Sequence, residues 1–293
     1  MGNNVRTISE PEAAAIYCIL DMKDALTLKV GDKFVVCDTG GGTVDIITFE
    51  VESIDGEMVQ LKEAVAGDGH AHGSVFLNRR FKKWLIATYQ DQPGWESDTL
   101  EDAMEHFEQD VKRNFRKGRD KNIVRITGLS DDPKKGIRRQ KLSILSDVMQ
   151  TFFEPVISTI TALVCAQLKA AKGVTAVLLV GGFGQSHYLE ESIRDVIGED
   201  VALLKPRKGE EAVARGGLQV SMAESSSEAP KLQIISRIAR KSYGIALGHQ
   251  FTPSDPSSKR YVFLHILETS HVTKVGTGML FIASGESTKW NGQ

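Results

Sequence analysis

Cysteine is scarce in this chain: Cys18, Cys37 and Cys165 stand far apart in 293 residues and form no CxxC pair. That scarcity excludes a disulfide-stapled scaffold and a cysteine-based zinc cluster, and it suits a reducing, cytoplasmic setting. Neither sign of charge prevails, since 36 Lys and Arg against 38 Asp and Glu leave a formal net charge of -2. A general nucleic-acid or membrane-surface role, which would want a basic surplus, is disfavoured. Long apolar runs are also missing: the opening MGNNVRTISE carries no apolar signal segment, no later run approaches a membrane span, and a soluble protein is expected. Gly2 does not start a myristoylation pattern, because Arg6 stands where Ser or Thr is required. What remains is ordinary globular usage, 41% hydrophobic and 25% charged, enough for one large or two medium domains.

The chain is organised around Phe34 to Glu50, FVVCDTGGGTVDIITFE. Phe34, Val35 and Val36 on one side and Ile46, Ile47 and Phe49 on the other are β-branched or aromatic, so two buried strands flank a hairpin tip of Gly40, Gly41 and Gly42. A hairpin needs positive φ at only one or two positions, and the surplus glycine implies close approach of the backbone to something else. Phosphate fits: successive amides of a glycine-rich turn form an anion nest, to which the Thr43 hydroxyl adds a donor. Asp38 and Asp45 beside such a nest suggest a cation between them, Mg²⁺ held through carboxylates and water. On the motif alone, an ordinary glycine-rich hairpin with solvated aspartates accounts for it equally well.

Upstream, Ser9 can cap and Pro11 suits an early helical position ahead of the Ala-rich EAAAIYCIL. Downstream, Met58 to Val65 completes a three-strand meander. Ala66 to Gly73 then reads as a glycine loop opening a helix whose apolar face carries Leu77, Phe81, Trp84, Leu85 and Tyr89, and whose N-terminus is a ready anion site. His70 and His72 form an isolated HxH, more often a loop feature than a pair of metal ligands. Asp98 heads a capping-box pattern before the stripe Leu100, Met104, Phe107, Val111 and Phe115. Between Lys112 and Lys141, twelve Lys or Arg stand against three Asp with no alternating aromatics, so a solvated face is favoured over a nucleic-acid platform.

Asn122 to Leu129 reads as a strand and Leu142 to Ala171 as two helices separated near Pro155. Val174 to Val180 is a buried strand running into Gly181-Gly182-Phe183-Gly184-Gln185-Ser186 and a helix, an order that puts amides at the carboxyl end of a strand. A further strand, Val201 to Leu204, and a small-residue helix in GEEAVARGG follow. Met222 to Pro230 has linker composition, and β runs succeed it at Leu232 to Ile238, Ser242 to Leu247, Tyr261 to Leu267 and Met279 to Ser284.

Taken in order from about Ser9 to Met222, these motifs resemble the DnaK-like heat-shock protein 70 family, in its atypical branch, within the actin-like ATPase superfamily. ISEPEAAAIY is similar to that family's first connecting helix, VCDTGGGTVDI to its second phosphate loop, GDGHAHGSVF to the glycine loop that follows, VLLVGGFGQSHYL to its adenosine loop and GEEAVARGG to its second connecting helix. The resemblance implies an α/β fold, mainly the second lobe of an actin-like (ribonuclease H-like) ATPase. That lobe would span residues 25–222, after a connecting helix in 1–24, with a linker at 223–230 and a truncated β-rich, substrate-binding-like segment at 231–293.

By the same resemblance the cofactors are ATP or ADP with Mg²⁺. Asp38, Glu10 and Asp45 would be the catalytic carboxylates, with Asp38 and, through a water, Glu10 at the metal. Gly40, Gly41, Gly42 and Thr43 would hold the phosphates, Gly181, Gly182 and Gln185 the adenine and ribose, and Lys112 and Arg113 would lie against the adenosine. Peptide or unfolded clients and co-chaperones would be the partners. Family members begin with another hairpin, an Asp-x-Gly-Thr phosphate loop and a phosphate-contacting lysine, whereas only eight residues precede Ser9 here. A missing first lobe, negligible ATP hydrolysis and exposed apolar faces on Ala13 to Ile19 and Ala212 to Leu218 are therefore expected. An ATP-hydrolysing chaperone-type protein and a non-catalytic interaction fragment both stay open. A sugar kinase or actin-like filament protein is disfavoured by the connecting-helix sequences and the Ser-rich linker before β runs.

Overall fold

The computed structural model describes residues 7–22, 27–225 and 232–240, together with three short strands farther on. Three strands, β1 (Lys33–Thr39), β2 (Val44–Asp55) and β3 (Met58–His70), form the expected antiparallel meander, with Phe34 opposite Phe49 and Asp38 opposite Asp45. On the other side of β1, β7 (Val174–Val180) runs parallel to it with Asp38 level with Val180, and β8 (Ala202–Leu204) runs parallel beside β7. Alternate residues of these strands feed two cores: Val35, Cys37, Val177 and Leu179 pack into one, and Phe34, Val36, Leu178 and Val180 into the other. A sheet covered on both faces has no solvent side, so its central strands are continuous apolar runs rather than alternating ones.

One face is covered by α1 (Glu10–Asp21) and α7 (Ala212–Ser225). Ser9 stands at the N-cap of α1 without a side-chain capping bond. The two helices touch where Gly216 lies on the Ala13 backbone, so close that a Cβ at 216 would overlap the Ala13 carbonyl oxygen. Ala13 to Ile19 are buried by this packing, contrary to the expected exposed face; on α7, Leu218 does stay exposed. The small side chains that look like an uncovered stripe in sequence are those that let the helices and the sheet close on one another.

The other face carries α2 (Val75–Tyr89), α3 (Ser97–His106), α5 (Ser146–Ala171) and α6 (His187–Val196). From α3 the chain passes through a π-helical turn (Phe107–Val111) into the short α4 (Lys112–Asn114), and a small antiparallel sheet of β4 (Lys121–Arg125), β6 (Lys141–Leu145) and β5 (Ile137–Arg138) packs beneath. Several local expectations change. Residues 66–70 continue β3 instead of forming a loop, because Asp45 pairs with Gly69 and Val44 with His70. The capping box of α3 is made by Glu96 and Thr99, not by Asp98. Residues 142–145 are strand, with Leu142 and Ile144 alternating inward.

Pro155 does not divide the helix that follows: α5 runs unbroken for 26 residues. Its flanks Phe152, Phe153, Val156 and Ile157 are all buried, and that packing outweighs the one helical hydrogen bond a proline forgoes. Among the described residues α5 is the one helix long and apolar enough to cross a membrane, which the chain had not been expected to contain. Here its apolar side faces the core, and Gln167 is tied into it, accepting from Thr48 Oγ1 at 2.6 Å and donating to Ala66 O at 3.0 Å.

Leu232–Ile238, the first β run after the Ser-rich stretch, is β9 and joins the main sheet parallel to β3. Two acids hold it, one on α1 and one on β3. Glu12 receives a bidentate pair from Arg237, and Glu63, 3% exposed, is bonded by Arg240 and by the Ile238 amide at 2.6 Å. Of the other expected β runs, Ser242 to Leu247 and Met279 to Ser284 contain β10 (Tyr243–Gly244) and β11 (Phe281–Ile282), which pair with each other, and Tyr261 to Leu267 lies outside the described residues; β12 (Ser287–Lys289), which was not expected, pairs with β9.

The Gly216 contact yields a paired prediction. Gly216→Ala should force α1 and α7 apart and lower stability by about 2 kcal/mol, while Gly217→Ala, whose Cβ meets nothing within 4 Å, should raise it by about 0.5–1 kcal/mol through helix propensity. Urea denaturation of the two variants measures both; equal midpoints would contradict the close helix contact.

Candidate functional site

The glycine turn between β1 and β2 is fixed from below by α2. Gly73 N donates to Gly42 O at 3.0 Å, Ser74 N to Gly40 O at 3.1 Å and Val75 N to Gly41 O at 2.9 Å. Three successive carbonyls are thus spent on the start of one helix. In a trans peptide the N–H points opposite to the carbonyl of the same unit, so the amides of Gly41, Gly42 and Thr43 are directed away from α2. Among the described residues those three amides have no backbone partner. Three neighbouring amides facing one way form an anion nest.

None of the three turn glycines adopts positive φ, so backbone conformation does not explain them. Nor does crowding within the chain: a Cβ on Gly41 or Gly42 would meet nothing within 4 Å. Glycine here keeps the open side clear. Gly73 is different, because a Cβ there would overlap the Gly41 carbonyl; the second glycine stretch exists to let α2 dock against the first. The α2 N-terminus expected to be a separate anion site is consequently occupied by the turn's own carbonyls.

The second loop leaves the sheet beside the first. Thr39 Oγ1 donates to Val180 O at 3.0 Å, and Gly181, at φ +85, lies so close that a Cβ would overlap Thr39 O and come within 2.5 Å of Asp38 Oδ1. Gly181 N in turn donates to Gly209 O at 2.9 Å, bringing the start of α7 to the same edge. A Cβ on Gly182 would meet open space. Gln185 Nε2 and Ser186 Oγ are buried with no hydrogen-bond partner among the described residues, which is what a ligand-facing loop would leave. Thr39, Ser186 and Gly209 were not singled out in the sequence; only the parallel pairing of β1 with β7 brings them in.

Asp38, next to last in β1, is almost fully buried. Burial, and then the nearby charges of Glu10 and Asp45, push its carboxyl from an ordinary 3.8 up to about 6. Glu10 is exposed at the start of α1, and Asp45 is half-buried against Gly69. No three His, Cys, Asp or Glu converge into a metal cage among the described residues. The hard oxygen donors of Asp38, Asp45 and Glu10 still suit a magnesium-like cation whose shell is completed by phosphate and water. His72 stacks on Phe76 with ring centroids 5.1 Å apart.

Lys112 and Arg113 part company. Lys112 is 6% exposed, its Nζ donating to Asn78 Oδ1 at 3.1 Å and to Ser74 Oγ and Glu108 Oε1 at 3.4 Å, and desolvation lowers its pKa. It therefore braces the α2 N-terminus that carries the glycine turn, while Arg113 is exposed. Nearer the second loop, Arg116 Nη2 meets His187 Nε2 at 3.0 Å at the start of α6.

The folded chain holds the Asp38 proton up to about 6, whereas the unfolded chain releases it near 3.8, so this group's contribution to stability is largest below that window and declines as pH rises through it. Asp38→Asn should remove the decline. Compared by urea midpoint, the variant should gain on the parent between pH 3.8 and about 6, and a constant difference would contradict the burial of Asp38. A model of the family described as Hsp70 protein matches residues 2–252 of the chain.

Proposed function

The chain belongs to the Hsp70 protein family, whose nucleotide-binding domains bind ATP or ADP with Mg²⁺ on an actin-like ATPase fold, and from that premise we propose what this polypeptide does with a nucleotide. It binds ATP across the carboxyl edge of β1 and β7, with the phosphates on the Gly41 to Thr43 amides and the adenosine along Gly181 to Gln185. The observation that carries this reading is the outward set of three amides on a turn whose carbonyls are all committed to α2. The sheet corresponds to the second lobe of the fold. A divalent cation, when bound, would offset phosphate charge beside Asp38 and Asp45. Asp38, which keeps its proton up to about 6, is a carboxylate at neutral pH and can then accept a hydrogen bond from an attacking water.

Within these 293 residues we propose that hydrolysis is negligible. Among the described residues no Lys or Arg pairs with Asp38 or Asp45. Phosphoryl transfer gains its rate from positioned charge on all sides of the phosphates, and each lost contact of that kind costs about a hundredfold. A second reading, a non-catalytic interaction module, is favoured by the segment around β9, where Arg237 and Arg240 neutralise Glu12 and Glu63. Peptide clients, co-chaperones and a cytoplasmic location, the last consistent with the buried free thiols Cys18 and Cys37, complete the proposal.

Gly41→Asp tests the nest directly, because its side chain enters open space and places a carboxylate where phosphate would sit. ATP affinity measured by calorimetry should fall at least about tenfold with the fold intact by circular dichroism. Gly182→Asp makes the same test of the adenosine end. Single-turnover hydrolysis by the parent should not exceed that of Asp38→Ala; unchanged ATP affinity in Gly41→Asp would overturn the assignment, and turnover well above the Asp38→Ala background would overturn the claim of negligible hydrolysis.

A further inference from the structure

A second cavity, of about 500 Å³, opens on the far side of α3, between the π-helical turn and the small sheet. Its wall is strongly basic. Arg119, Arg125, Arg139 and Lys141 line it, and Asp110 is the one carboxylate that does. None of those four cations forms an ion pair among the described residues; Arg119 Nη1 reaches only the Asn114 carbonyl at 3.3 Å. Asp110 is itself engaged, accepting from Asn114 Nδ2 at 2.8 Å. Four positive side chains converging on a concave surface without a matching acid repel one another, an arrangement that an anion would relieve.

The floor of the cavity is Asn122 on β4. It is 2% exposed, and neither its Nδ2 nor its Oδ1 has a hydrogen-bond partner among the described residues. A buried amide with both ends unsatisfied is rare and calls for an explanation. Beside it, His106 Nδ1 accepts from the Arg125 amide at 3.2 Å, which fixes the proton of a neutral ring on Nε2 and leaves that edge as a donor.

Arg139 and Gln140, both lining residues, form the β5–β6 turn with φ of 50 and 57. Two consecutive non-glycine residues in the left-handed region sit where a hairpin ordinarily places Asn-Gly. The strained turn is clamped: Arg139 N donates to Asp131 Oδ1 at 2.7 Å and Ile126 N to Gln140 O at 2.9 Å. Strain held this way at a pocket wall presents a side chain, here the Arg139 guanidinium, in a set direction.

We propose that this cavity binds a small phosphorylated polyol, such as a hexose phosphate. The guanidinium groups match a phosphate through paired N–H donors. The Asn122 amide, donor and acceptor at once, matches hydroxyl groups, which also donate and accept. The volume lies within the range of small-molecule sites. No Phe, Tyr or Trp lines the cavity, so a nucleobase would lack a stacking surface, and the site is distinct in position and chemistry from the glycine turn.

The test uses the full 293-residue chain, with glucose 6-phosphate, glucose and inorganic phosphate titrated calorimetrically at low salt. Glucose 6-phosphate should bind more tightly than phosphate, and glucose should not bind at concentrations up to about 10 mM. Arg125→Gln combined with Arg139→Gln should weaken glucose 6-phosphate by at least about tenfold, both side chains being exposed and neutral to the fold. Asn122→Ala should bring glucose 6-phosphate down to the affinity of phosphate, and Gly41→Asp should leave it unchanged. The proposal is overturned by an absence of glucose 6-phosphate binding, by unchanged affinity in the double variant, by equal binding of glucose 6-phosphate and phosphate to the parent, which would mean an adventitious ion only, or by loss of binding in Gly41→Asp, which would trace the signal to the glycine turn.

Discussion

Three hydrogen bonds, from the amides of Gly73, Ser74 and Val75 to the carbonyls of Gly42, Gly40 and Gly41, set the geometry on which the rest of the site depends. They cap the start of α2 and, through peptide planarity, orient the neighbouring amides of the turn the other way. A single arrangement thereby satisfies the helix and builds the nest. It also explains two glycine stretches at once, one left open for a ligand and the other thinned so that two backbones can meet.

The same economy appears at the sheet edge. Asp38 is held between β2 and β7, with Gly181 pressed against it and Glu10 and Asp45 nearby, so its carboxyl is buried and surrounded by like charge. In an apolar interior such a cluster would be an error; at the mouth of a phosphate nest it is complementary to a cation. Lys112, desolvated beneath the α2 N-terminus, belongs to the support of this site and braces the helix that holds the turn.

Away from the nest lies a cavity of different chemistry. The small sheet and the π-helical turn gather cations that, among the described residues, pair with no acid, around an amide with no partner there, and the strained Arg139-Gln140 turn carries one of those cations. Around β9, Arg237 and Arg240 meet the buried acids Glu12 and Glu63. Among the described residues, charge is paired internally around β9 and left unpaired around the cavity.

Sequence alone determined the parts whose signal is local. The runs around Asp38-Thr-Gly-Gly-Gly-Thr give the β1–β2 hairpin, Val174 to Val180 gives a strand buried at all positions but Thr175, and the order of glycine motifs gives the family, because strand propensity, turn chemistry and motif order are each carried within a few residues. What failed locally failed for a tertiary reason. Pro155 stays within a helix because buried neighbours hold it there, 66–70 is strand because β2 supplies a partner, and Ala13 to Ile19 is buried because Gly216 lets α7 close on it. The direction of the turn amides, the pairing of Thr39 with Val180, the burial that raises Asp38 and the gathering of Arg119, Arg125, Arg139 and Lys141 were decided by tertiary structure alone, since each depends on residues far apart in the chain meeting at one distance and one orientation.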